Sequence, residues 1–168
     1  MDGICYHPIG VIRSPYTQPK GMPIQSAAAR GVTGRIELDS AYADGLHDIA
    51  GFSHLWLIYH LHCMTPGPLT VTPFLDDRPH GIFATRSPRR PNAIGLSAVR
   101  LLAVDGSILH IEEVDVLDGT PLLDIKPYVP EFDHRVVERI GWFASNIGRL
   151  TDTRSDDRFR ALPPDAPA

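Results

Sequence analysis

The sequence predicts a mainly β fold, a compact barrel with few short helices and one longer helix near its C-terminal end. Three observations carry this prediction. Sixteen prolines and fourteen glycines in 168 residues divide the chain into short pieces, a spacing that suits turns between strands better than long helices. Between those breaks, apolar and polar side chains alternate with the period of two expected of a half-buried strand. Helical periodicity is sustained in one stretch alone, residues 135–150.

In chain order, Ile9-Gly10-Val11-Ile12-Arg13 reads as a first strand, ended by Ser14-Pro15. Residues 16–26 contain Pro19, Gly21 and Pro23 and read as a long loop, a length that in a compact domain is often functional. Residues 31–38 alternate as a second strand, and 39–50 read as a short helix or a turn-rich loop, with Gly45 weakening the helix. Residues 52–62 are dense in aromatic and aliphatic side chains and suit a strand buried on both faces. A further short strand is expected over 69–75. Residues 94–104 and 108–116 flank Asp105-Gly106, a strong hairpin signal. A second Asp-Gly pair, Asp118-Gly119, precedes an apolar strand with Asp124 and Lys126 on one face. Val136, Val137, Ile140, Phe143, Ala144 and Ile147 then recur at helical spacing to about Gly148. One domain over 1–150 followed by a charged, then Pro/Ala-rich tail over 151–168 completes the expected organisation.

The totals narrow the class. A chain of this length buries a core without staples. Hydrophobic content of 43% and mean hydropathy of −0.09 are those of a globular chain. No apolar run approaches the roughly 20 residues that cross a bilayer, and residues 1–5 lack the pattern of a signal peptide. Cys5 and Cys63 build no disulfide framework and match no zinc spacing, so a cytoplasmic location and no metal are expected. His60 and His62 share one face of a strand, yet no third ligand stands near them in sequence. A net charge of −4 argues against coating nucleic acid by bulk electrostatics, while leaving room for a local basic patch.

That patch is the loop Arg86-Ser87-Pro88-Arg89-Arg90-Pro91. Its prolines fix φ and restrict the residues before them, so the three guanidinium groups ride on a stiff turn. Planar, permanently charged forks suit carboxylates, phosphates or the face of a base.

Four stretches stand in order: Ile9-Gly10-Val11-Ile12-Arg13-Ser14-Pro15, Gly51-Phe52-Ser53-His54-Leu55-Trp56, the arginine loop within residues 83–97, and Asp118-Gly119-Thr120-Pro121-Leu122-Leu123-Asp124-Ile125-Lys126-Pro127-Tyr128. Over about residues 6–132 the chain resembles the TrmO (TsaA, YaeB-like) family. The resemblance implies a compact, usually dimeric β-barrel that binds S-adenosylmethionine without a Rossmann fold, in keeping with the absence of a Gly-x-Gly-x-x-Gly after any strand. It also implies methylation of N6 of threonylcarbamoyladenosine 37, beside the tRNA anticodon.

Carried over by position, the resemblance implies cofactor contacts from Pro23, Ile24, Gln25, His62, Cys63, Arg86, Leu96, Leu117, Asp118, Gly119 and Thr120. Arg86 is expected to meet the cofactor carboxylate and Asp118 a polar group, while Arg89 and Arg90 are expected to contact RNA phosphate or a second copy of the chain. Two positions depart from the family pattern: Ile24 stands where an arginine is usual, and Cys63 where a glutamine commonly follows the histidine. The exocyclic nitrogen of adenosine is a weak nucleophile, so a base is useful. Asp124 and Tyr128 are the sequence candidates for it, with Lys126 holding a phosphate or substrate carboxylate. The alternatives are a family methyltransferase acting on a small molecule and a non-catalytic module that binds S-adenosylmethionine or RNA.

Overall fold

A computed structural model describes residues 3–159. Its centre is a closed six-stranded antiparallel barrel made from β1 (Gly10–Arg13), β2 (Thr33–Leu38), β3 (His54–His60), β6 (Ile94–Asp105), β7 (Ile108–Glu112) and β8 (Thr120–Pro127). The strand order is β1-β2-β7-β6-β3-β8, and β8 closes the ring by pairing with β1. Closure leaves the barrel no unpaired edge. β4 (Thr70–Val71), which covers two residues of the strand expected over 69–75, pairs with β5 (His80–Gly81) in a separate ribbon.

Period-two patterning fills the barrel. Ile12, Ile36, Leu55, Leu57, Val99, Leu109, Ile111 and Leu122 are fully enclosed and pack on one another. Strand β3 is buried on one face rather than both: Leu55, Leu57 and Tyr59 point inward, while Trp56 and Ile58 are half-exposed. A single-layered barrel has only one dry side, whereas burial on both faces needs helices stacked outside the sheet. The Asp105-Gly106 pair makes the hairpin between β6 and β7, with Gly106 in the left-handed region at φ 58°. Residues 39–50 form 3-10 turns, Ser40–Leu46 and Ile49–Gly51, the first started by the Asp39 carboxylate accepting from the Ala41 N–H.

A bulge sets the chemistry of β8. Ile58 pairs with Asp124 but Tyr59 pairs with Leu122, so Leu123 is an extra residue in the ladder. One inserted residue reverses the inward and outward alternation beyond it. Thr120 and Leu122 therefore face inward before the bulge, and Ile125 joins the core after it. Asp124 and Lys126 are turned to the outside, opposite Ile58 and Trp56.

The expected helix over 135–150 does not form. A single turn, α1 (Pro130–Asp133), is followed by extended chain and by the 3-10 turns Gly141–Ser145 and Ile147–Arg149. Gly141 lies at φ 59°, outside helical space, and residues 136, 137, 140 and 147 are β-branched. Both features oppose a helix that periodicity alone suggests. Val136 and Val137 are 94% and 61% exposed, so they have no core to face. Residues 151–159 also belong to the folded body. Phe159 is buried with Val71 and Ile82, Arg154 bridges to Pro23, and the Ser155 and Met22 backbones are joined. The remaining part of the expected tail lies outside the described residues.

Candidate functional site

At one end of the barrel lies a cavity of about 790 Å³, walled chiefly by five segments distant in sequence. The early loop contributes Met22, Pro23, Ile24 and Gln25; the end of β3 contributes Tyr59, Leu61, His62, Cys63 and Met64. The arginine loop and the start of β6 supply Arg86, Ser87, Gly95 and Leu96, and the segment before β8 supplies Asp115, Val116, Leu117 and Thr120. The fifth wall comes from the segment that failed to become a helix: Ile140, Trp142, Phe143, Ile147 and Leu150 line the cavity. This wall is fastened to the arginine loop. The Trp142 indole N–H donates to the Ala84 carbonyl at 2.8 Å, and its ring stacks on His80 at 4.6 Å between centroids. His80 in turn meets the Asp76 carboxylate at 3.1 Å.

The polar groups of this mainly apolar cavity are few and specifically placed. Arg86 donates to the Gln25 side-chain oxygen at 2.6 Å, joining the arginine loop to the early loop. The Ser97 hydroxyl donates to Asp115 Oδ1 at 2.6 Å and shares a 2.9 Å bond with the Tyr59 hydroxyl, so Tyr59, Ser97 and Asp115 form a chain from β3 through β6 to the segment before β8. Asp115 opens onto the cavity but is otherwise enclosed by protein. Burial pushes its carboxyl up to about 6, against the opposing pull of the Ser97 bond and the Arg86 charge. Burial and then the Asp115 charge raise Tyr59. His62 is held below the ordinary imidazole range by burial and then by neighbouring His60, and its Nδ1 stands 3.3 Å from the Thr120 hydroxyl. Ser87 is only 4% exposed and its Oγ has no hydrogen-bond partner among the described residues. A buried hydroxyl left unpaired is costly.

Of the residues expected to contact a cofactor, Pro23, Ile24, Gln25, His62, Cys63, Arg86, Leu96, Leu117 and Thr120 line this one cavity. Asp118 and Gly119 stand beside it and serve the turn. Asp118 Oδ1 accepts from the Ser14 N–H at 3.1 Å, its Oδ2 stands 3.8 Å from Arg13, and Gly119 takes φ 77°. The two departures from the family pattern, Ile24 and Cys63, both face the cavity and make its wall more apolar.

Asp124 and Tyr128, expected as candidates for the base, and Lys126, expected to hold a phosphate or substrate carboxylate, are not among the residues lining this cavity. The Leu123 bulge turns Asp124 and Lys126 outward, where they pair with each other at 2.7 Å. Tyr128 packs on Trp56 at 5.4 Å. The three arginines of the loop also differ from one another. Arg90 is occupied by the carbonyls of Thr85 at 2.8 Å and Ile82 at 3.3 Å, so it braces its own loop. Arg89 lines a separate cleft of about 370 Å³ with Thr70, Asp77 and Arg158. Asp115, Ser87 and Trp142 are the cavity residues that sequence reasoning missed. An Asp three positions before an Asp-Gly turn reads as turn chemistry, and nothing in the sequence reports its burial. Among the described residues no group of three or more His, Cys, Asp or Glu side chains is arranged to hold a metal.

Comparison with known proteins agrees with this architecture. The family model described as the tRNA-methyltransferase O N-terminal domain matches residues 11–134. A probable S-adenosyl-L-methionine-binding protein of Pyrococcus abyssi is 53% identical over 159 residues, covering 95% of this chain and 86% of the relative. The tRNA (adenine(37)-N6)-methyltransferase of Escherichia coli K12 is 39% identical over 77% of this chain, which spans 60% of that relative's length. A crystal structure of TrmO from P. aeruginosa superposes with a TM-score of 0.72 at 36% identity, over 84% of this chain and 62% of that one.

Proposed function

The chain belongs to the tRNA-methyltransferase O N-terminal domain family, and from that membership we propose that it is an S-adenosylmethionine-dependent methyltransferase acting on N6 of adenosine 37 in tRNA, in its threonylcarbamoyl-modified form. The observation that carries this reading is the cavity itself. At about 790 Å³ it lies within the range of cofactor pockets, with apolar walls and a small set of converging polar groups.

The residues present fit such a cofactor. Leu61, Met64, Phe74 and Val116 offer apolar wall to an adenine ring, and Arg86 offers a guanidinium fork to a carboxylate. When bound, the cofactor supplies an electrophilic methyl on a sulfonium. The chain's own part is to hold donor and acceptor in line and to exclude water, which accounts for much of the acceleration available to a methyl transfer. Ile140, Trp142, Phe143 and Leu150 form one apolar wall of the cavity. In the same reading the protein works in the cytoplasm as a homodimer; Phe132, Val136 and Val137, exposed together after β8, support an apolar contact between copies.

The test is transfer of labelled methyl from the cofactor to tRNA that carries threonylcarbamoyladenosine but lacks its methyl group. Label on the anticodon-loop adenosine is the expected result. Label on small metabolites instead, or binding without turnover, would replace the reading by a small-molecule enzyme or a sensor.

A further inference from the structure

Within the methyltransferase reading, on which this inference rests, one step still lacks a group. The nitrogen of threonylcarbamoyladenosine that receives the methyl is joined to both the purine ring and a carbonyl, and its lone pair is delocalised into each. It becomes a competent nucleophile as its proton leaves, so a positioned acceptor for that proton is needed. None of Asp124, Lys126 and Tyr128 lines the cavity.

We propose that Asp115 is the catalytic base, taking the N6 proton, and that Ser97 and Tyr59 are positioning residues that hold its carboxylate towards the cavity. In the step, the N6–H bond breaks and the proton passes to the Asp115 carboxylate. The N6–methyl bond forms as the methyl–sulfur bond breaks, its electron pair staying on sulfur, so a neutral thioether and a protonated carboxyl remain. The proton then passes to solvent.

Geometry singles Asp115 out. It opens onto the cavity at the mouth of the barrel, between the early loop and the end of β3. Ser97 fixes Oδ1 at 2.6 Å, and Tyr59, wedged against Gly95 where a Cβ would overlap its ring, fixes Ser97 at 2.9 Å. The carboxylate is thus held by a relay rooted in β6 and β3 and not by a mobile surface loop. The other acid of the lining, Asp156, is bound by Arg158 at about 3.0 Å through both of its oxygens. The ionisable groups that act on Asp115 are Arg86 from the arginine loop, Tyr59 from β3 and Tyr16 from the early loop. The first favours the carboxylate; both tyrosines are raised and stay neutral near pH 7. Held near pH 6, the carboxyl is a stronger acceptor than a free aspartate and is still mostly ionised at neutral pH.

Three measurements on the full chain test this. With unmethylated, threonylcarbamoylated tRNA, Asp115→Asn is expected to lower kcat by about 100-fold or more, with cofactor affinity by calorimetry within about threefold of wild type. Ser97→Ala is expected to shift the rising limb of kcat against pH upward by about one pH unit, leaving KM near wild type. In the cofactor-free protein, carbon-detected NMR of the aspartate carboxyls is expected to show one titrating near pH 6 that is missing in Asp115→Asn and moved up in Ser97→Ala. An Asp115→Asn rate near wild type overturns the base assignment while leaving the methyltransferase reading intact. A cofactor affinity lost in that variant also overturns it, by making Asp115 a cofactor contact. Absence of transfer by the wild-type protein overturns both readings together.

Discussion

The same arginine-rich turn contains three residues of one type with three different tasks. Arg86 reaches across to Gln25 at the cavity, Arg90 ties its own loop carbonyls, and Arg89 turns to a separate cleft. Charge type alone could not divide them, because the division follows from which carbonyls and side chains the fold brings near. Asp115 makes the complementary case: its chemistry comes from enclosure. Its carboxyl titrates near 6 in the fold, above the value of about 3.9 it has in an unfolded chain. The folded state therefore holds a proton that the unfolded state has released between about pH 4 and pH 6. Stability falls as pH rises through that window, and the full deficit persists above it. Asp115→Asn removes the ionisation while its amide oxygen still accepts from Ser97. The variant is expected to be more stable than wild type at pH 8, by on the order of 1–3 kcal/mol, with the gain gone near pH 4. Denaturant unfolding at the two pH values checks it; an equal effect at both would show that the carboxyl is not perturbed in the fold.

Two elements carry the site. The first is the pair β3 and β6, whose register sets Tyr59 opposite Gly95. A Cβ at position 95 would overlap the Tyr59 ring, so the glycine is required by close approach and not by backbone freedom. Gly95→Ala is expected to cost about 3 kcal/mol, since an overpacked site must displace a buried tyrosine and break its bond to Ser97. A change of midpoint in urea unfolding measures this. The second element is the wall over 140–150, made of 3-10 turns and anchored chiefly through Trp142. Trp142→Ala removes the bond to Ala84 and the stack on His80. Amide exchange in residues 141–150 is expected to quicken by about tenfold while β6 and β7 stay protected, because local opening draws on local contacts. Uniform quickening of both would show that the wall is part of the barrel's cooperative unit.

At the scale of the molecule, the barrel was legible because period-two alternation, two Asp-Gly turns and proline punctuation all demand short antiparallel strands. The segments that line the cavity were legible too, through wording that resembles a known family. What escaped was of one kind, features set by registry between distant segments. The bulge at Leu123 reverses Asp124 and Lys126, and its signal lies in the pairing with β3, not in β8. The wall over 140–150 keeps a helical hydrophobic period, but Gly141 and the β-branched positions divert those side chains into the cavity. Burial of Asp115 likewise arises from β3, β6 and the early loop closing together. The measurement that most directly tests the central claim is mass spectrometry of tRNA nucleosides from a strain deleted for this chain. Methylated threonylcarbamoyladenosine is expected to disappear, its unmethylated form to accumulate, and both to return to wild-type levels when the chain is restored. An unchanged level of the methylated nucleoside in the deletion strain would contradict the account.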